Sequence, residues 1–145
     1  MKLTKKGEYA LRAMIALAQS ASDSMTISAI AQRQNIPKKF LEQILLALKS
    51  ARLVTSRAGP KGGYGLARDA QQITVGMILN AVEEPFAQLK RSPRTDEHAR
   101  VPTPIEALLR EIRAYIRGKL EGLTLQVLAA QDLPGEQMEA LMYYI

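Results

Sequence analysis

The chain has 145 residues, 47% hydrophobic and 23% charged, the balance of a core-forming globular protein and not of a disordered one. It has no cysteine, which excludes disulfides, thiolate metal sites and a cysteine nucleophile. The formal charge of +6 is uneven: residues 1–68 carry 12 Lys/Arg against 3 Asp/Glu, and residues 69–145 carry 8 against 11, so +9 in the first part is joined to −3 in the second. A basic first half on a mildly acidic second half suits a protein that meets a polyanion with one part only.

In chain order, Thr4 is a good N-cap for a first helix. Ala10, Ala13, Met14 and Leu17 then fall at i, i+3, i+4 and i+7, the stripe of a half-buried helix. The turn formers Ser20-Ala21-Ser22-Asp23-Ser24 end it. Thr26 caps a shorter second helix with Ile27, Ile30 and Ala31 inward and Asn35 at its end. Ile36-Pro37 is a tight connection, and Pro37 opens a third helix running to about Ala51. Leu41, Ile44, Leu45 and Leu48 form its inner stripe; Leu46 has no assigned face. Leu53–Arg57 and Tyr64–Leu66 flank the Gly/Pro-rich segment Ala58–Gly63 and read as a β-hairpin. Three helices and a hairpin are the order of a winged helix.

A fourth helix is expected over Thr74–Glu83, with Thr74 as its cap. Residues 84–103 hold mixed charge and three prolines and read as a loop. A long helix begins near Pro104, where Ile105, Leu108, Leu109, Ile112, Ile116, Leu120, Leu123, Val127 and Leu128 trace one apolar stripe. That stripe must be covered, and a second copy of the chain is the expected cover. Gly118 and Gly122, four apart within it, suit either a close helix contact or a kink. A last short helix is expected over Glu136–Tyr144. The fold class is therefore mainly α with a small β-hairpin wing, divided as a winged helix-turn-helix domain over 1–83, a loop over 84–103, and a dimerisation helix with a C-terminal segment over 104–145.

The third helix carries the chemistry. A recognition helix presents its N-terminal residues to base edges in the major groove, and here that end offers Lys38, Lys39, Glu42 and Gln43. Lys suits guanine or phosphate, Gln pairs with adenine, and Glu accepts from cytosine. Thr4, Lys5, Thr26 and Ser28 stand at helix starts, where hydroxyls and backbone N–H groups hold phosphates. At the hairpin, Arg57, Lys61, Gly62, Gly63 and Tyr64 form a basic, side-chain-poor tip suited to a minor groove. The tip lacks the Gly-Lys-Ser/Thr ending of a P-loop. An enzyme is not expected. The one histidine, His98, has no nucleophile beside it, and the pairs Glu83-Glu84 and Asp96-Glu97 are adjacent and do not share a helix face.

Leu3-Thr4-Lys5-Lys6-Gly7-Glu8-Tyr9-Ala10 resembles the opening of the Rrf-two family of bacterial transcription regulators. The likeness continues at Ile27–Ala31, Ile36-Pro37 and Phe40–Leu45, and is sharpest at Gly59-Pro60-Lys61-Gly62-Gly63-Tyr64-Gly65-Leu66 with Ile73-Thr74-Val75. The resemblance implies a homodimer on a near-palindromic operator, usually a repressor. It implies a recognition helix through Leu41-Glu42-Gln43, a wing in the minor groove, and a long dimerisation helix. Two positions depart from the pattern. Many family members have Arg directly before the first wing glycine; here that residue is Ala58, which leaves the contact to Arg57 or Lys61. Cluster-binding members carry three cysteines in the loop matching 84–103, and this chain has none.

The reading is a cytoplasmic, homodimeric winged-helix DNA-binding repressor with no cofactor, no metal, no iron–sulfur cluster and no membrane contact. Its dimer interface is expected to comprise Ile105, Leu108, Leu109, Ile112, Ile116, Leu120, Leu123 and Val127. Two alternatives stand: a winged helix that binds an acidic protein partner, and the same regulator controlled by a small-molecule effector bound near Met77, Leu79 and Tyr115.

Overall fold

The computed structural model describes residues 3–60, 62–83 and 101–131. The helices are α1 (Lys5–Ala18), α2 (Ile27–Gln34), α3 (Lys38–Ser50), α4 (Val75–Val82), α5 (Pro104–Gly122) and α6 (Leu125–Ala130); strands β1 (Val54–Arg57) and β2 (Gly63–Leu66) lie between α3 and α4. Lys61, most of the 84–103 loop with its Asp96, Glu97 and His98, and the expected helix over Glu136–Tyr144 fall outside the described residues.

Threonine starts five of these six helices. The Oγ1 atoms of Thr4, Thr26, Thr74 and Thr124 accept from the backbone N–H three residues on. Thr103 goes further and forms a reciprocal capping box with Glu106. Each cap satisfies a donor that the helix itself leaves open and is worth about 1 kcal/mol. α3 is the exception. Pro37 stands at its N-cap, so the helix begins at Lys38, one residue after the expected start, and the Pro37 carbonyl accepts from Leu41 N–H at 2.9 Å. Asn35 closes α2 in the left-handed region (φ 51, ψ 51), which Asn tolerates and which turns the chain sharply into α3.

α1 is the hub of the fold, packed against α2, α3, α4 and α6. The expected one-sided stripe understates it: Leu11, Ile15 and Ala16 are buried as well as Ala10, Ala13, Met14 and Leu17. Leu41, Ile44, Leu45 and Leu48 of α3 are fully buried in the same core, with Ile73, Ile78 and Leu79. Strands β1 and β2 pair antiparallel, with Val54 opposite Leu66 and Arg57 opposite Gly63.

The C-terminal stripe departs from expectation. It is not one helix through Leu128. α5 ends at Gly122, Leu123 is extended, and Thr124 caps a separate α6. The break is made by backbone pairing with the start of α4. Val75 N–H donates to the Leu123 carbonyl at 2.9 Å, and Leu125 N–H donates to the Ile73 carbonyl at 2.7 Å. Two bonds to a neighbouring segment replace helix continuation, and they swing Leu125 into full burial in the core. α6 then lies on α1, and Gln19 Nε2 donates to the Ala129 carbonyl at 2.9 Å. The close approach between helices also falls elsewhere than at Gly118 and Gly122, where an added Cβ would meet nothing within 4 Å. It falls at Gly76 of α4, where a Cβ would stand 3.3 Å from the Leu120 backbone of α5.

Leu79 is fully buried, Met77 is half-buried against the core, and Tyr115 is exposed with the Lys119 ammonium 5.6 Å from its ring centre. The three residues named for an effector pocket are thus spread from core to solvent.

Candidate nucleic-acid interface

The amphipathic pattern of α3 divides it cleanly. Leu41, Ile44, Leu45 and Leu48 are buried, while Lys38, Lys39, Glu42, Gln43, Leu46, Lys49 and Ser50 are exposed. The four side chains expected to reach a groove therefore lie on the solvent side of a helix whose other side anchors the core.

α1 holds the start of α3 in place. The Tyr9 and Phe40 rings meet edge to face, 5.6 Å apart at 79°, joining α1 to the first turn of α3. The Arg12 guanidinium donates to the Gln34 carbonyl at the end of α2 and to Glu8 Oε1. Glu8 is buried and also takes Lys5 Nζ at 3.1 Å. Sequence reasoning missed this support. Its one visible sign was the i, i+4 spacing of Glu8 and Arg12.

The hairpin is tied to both helices of the helix-turn-helix. Met25 and Tyr64 exchange backbone bonds, N–H to carbonyl, at 2.9 and 2.8 Å. This brings the start of α2 against β2 so closely that a Cβ on Gly63 would stand 2.1 Å from the Met25 carbonyl oxygen. Gly63 is therefore glycine because another segment touches it, whatever it also does at the tip. Tyr64 is partly buried against the core. At the other helix, Lys49 Nζ donates to Ser56 Oγ at 2.7 Å, a contact the sequence did not signal. Arg57 is exposed and reaches Asp23 at 4.0 Å, a surface pair of little energetic weight. Thr26 and Ser28 are exposed at the start of α2, beside this strand.

Thr4 is differently placed. Its backbone N–H and its hydroxyl both donate to Glu83 Oε1, so its side chain is engaged within the chain. Glu83 is buried at the end of α4, 79 residues away in sequence, and takes the position at the α1 N-terminus where an anion would sit. Gly7 leaves the space: a Cβ there would stand 2.0 Å from Glu83 Oε1. The Thr4 hydroxyl is thus turned to Glu83, while Lys5, through Glu8 and Arg12, joins the support that links α1 to the end of α2.

The arrangement is a helix-turn-helix with a docked hairpin. The family model Rrf2, described as "Iron-dependent Transcriptional regulator", matches residues 3–131. The chain belongs to the Rrf-two (Rrf2) family. An HTH-type transcriptional regulator IscR from Photobacterium profundum is 36% identical over 146 residues, covering 97% of this chain and 85% of that protein. Among solved structures, CymR (YrzC), described as the global cysteine regulator of B. subtilis, matches with a TM-score of 0.75 at 31% identity, over 92% of this chain and 99% of that one. The IscR of T. potens also reaches 0.75, at 28% identity, over 92% and 89% of the two chains. These Rrf2 relatives are transcription regulators and not enzymes.

The iron in the family description raises the question of a metal centre. Iron–sulfur clusters are held chiefly by thiolates. This chain has no cysteine, and among the described residues no three His, Asp or Glu side chains are grouped to hold a metal ion. Its donor set does not fit a thiolate-ligated cluster.

Proposed function

We propose that this Rrf2 chain is a sequence-specific, double-stranded-DNA-binding repressor that acts as a homodimer on a near-palindromic operator and responds to no thiolate-ligated iron–sulfur cluster. The observation that carries the reading is the exposed face of α3, with Lys38, Lys39, Glu42 and Gln43 on a helix braced by α1 and flanked by a hairpin. A helix of this kind fits the major groove, and basic side chains around it supply affinity through the phosphates. Thr26, Ser28, Arg57, Lys61, Gly62 and Gly63 are proposed to line the same interface, with Tyr64 supporting the wing from behind. Thr4 is proposed to position α1 and not to hold a phosphate, since its hydroxyl already binds Glu83.

The dimer part rests on α5. Ile105, Leu108, Leu109 and Ile112 are exposed on one face, and Val127 is exposed on α6. Ile116 is half-buried, while Leu120 and Leu123 pack partly on the chain's own core, so the proposed seam centres on the first half of α5. No described helix is long and apolar enough to cross a membrane.

Selection of bound duplexes from a random pool at about 150 mM salt tests the reading. A two-fold symmetric consensus is expected, with half-sites about 34 Å apart. Equal retention of all sequences would refute it.

A further inference from the structure

The recognition face of α3 contains one residue that no polar contact explains. Leu46 is 58% exposed. At 100° per residue, Lys39, Glu42 and Leu46 fall within about 60° of one another, and Leu46 lies about 6 Å beyond Glu42 along the axis. It follows Gln43 by three residues and precedes Lys49 by three, so it is a neighbour of both on the helix surface.

Leu46 lies outside the packed side of α3, which is filled by Leu41, Ile44, Leu45 and Leu48. A protein partner does not suit it either. Among the described residues up to 83, Leu46 is the one exposed large hydrophobic, and a protein interface core needs a contiguous apolar patch. The residues around it are polar or cationic: Lys39, Glu42, Gln43 and Lys49. That is a surface for a polyanion with a single apolar point at its centre. The major groove offers one apolar feature on its base edges, the C5-methyl of thymine.

We infer that Leu46 is a specificity-determining residue that contacts a thymine methyl, one helical turn past the bases met by Glu42 and Gln43. Leucine has no donor or acceptor, so it favours the methyl and leaves a polar base edge at that position without a partner. The inference rests on the DNA-binding reading above and adds one base position to it.

The test uses the full-length protein and its selected operator. Each thymine is replaced in turn by deoxyuridine, which removes only the methyl, and affinity is measured for the native protein and for Leu46→Ala. One thymine per half-site is expected to lose about fourfold in affinity on the native protein when its methyl is removed, the worth of one buried methylene. Leu46→Ala is expected to bind the thymine and uracil forms of that position equally. Because Leu46 is exposed, the variant should melt at the native temperature. Uracil substitutions that weaken both proteins by the same factor at every position, or a consensus without thymine in the half-site, would overturn the role of Leu46 while leaving DNA binding intact. Absence of any preferred duplex for the native protein would overturn the proposed function and this inference with it.

Discussion

Gly7 shows how a single residue is set by a distant one. In a helix, Ala is ordinarily favoured over Gly by about 1 kcal/mol. Here the Glu83 carboxylate rests against the Gly7 backbone, with 2.0 Å between its Oε1 and any added Cβ. Gly7→Ala is therefore expected to destabilise the protein, by about 1–3 kcal/mol as for overpacked cores. Adding Glu83→Ala should remove the clash, so the double variant should be more stable than the sum of the single losses predicts. Urea unfolding of the four proteins measures that coupling; simple additivity would mean that the two residues do not meet. Nothing in the local sequence marks this pair, since they are 76 positions apart. The threonine caps are the opposite case. Thr4, Thr26 and Thr74 were legible because an N-cap needs only a hydroxyl and the next three residues.

Among elements, α3 was readable from its period: leucines and isoleucine at 41, 44, 45 and 48 could only point one way. Its exposed end carries a prediction of its own. Lys38→Ala with Lys39→Ala should weaken binding to all duplexes alike. The slope of log affinity against log salt should flatten by about 0.9 for each lysine that neutralised a phosphate. Titrations at several salt concentrations decide this, and an unchanged slope would remove both residues from the phosphate backbone. Gln43→Ala should instead cost about 1–3 kcal/mol at one operator position only; a uniform loss across sequences would contradict base reading. The C-terminal stripe was misread because the helical period persists across the break. Ile105 to Leu128 keep an apolar rhythm, yet the backbone of Leu123 and Leu125 pairs with Ile73 and Val75. Leu125→Ala should accordingly cost about 2–5 kcal/mol in thermal or chemical unfolding, as expected for a fully buried leucine. A loss below about 1 kcal/mol would mean that α6 is not part of the core.

For the whole molecule, the decisive question is what covers α5. Ile112 is exposed in the single chain, so Ile112→Glu should leave the monomer fold intact. It should place two charges in the proposed seam and convert the dimer to monomer in sedimentation. Operator affinity should fall with it, because two half-sites are then met independently. A variant that stays dimeric would place the interface elsewhere.

Local rules were enough to read the winged-helix order, the caps at Thr4, Thr26 and Thr74 and the polar face of α3, because each depends on residues within one or two turns of each other. The absence of thiolate ligands likewise follows from composition alone. The break at Leu123, the Glu83 carboxylate on the α1 N-terminus, and the reason Gly63 and Gly76 are glycines were decided only when distant segments met. Backbone pairing and close packing between such segments leave no periodic trace in either one.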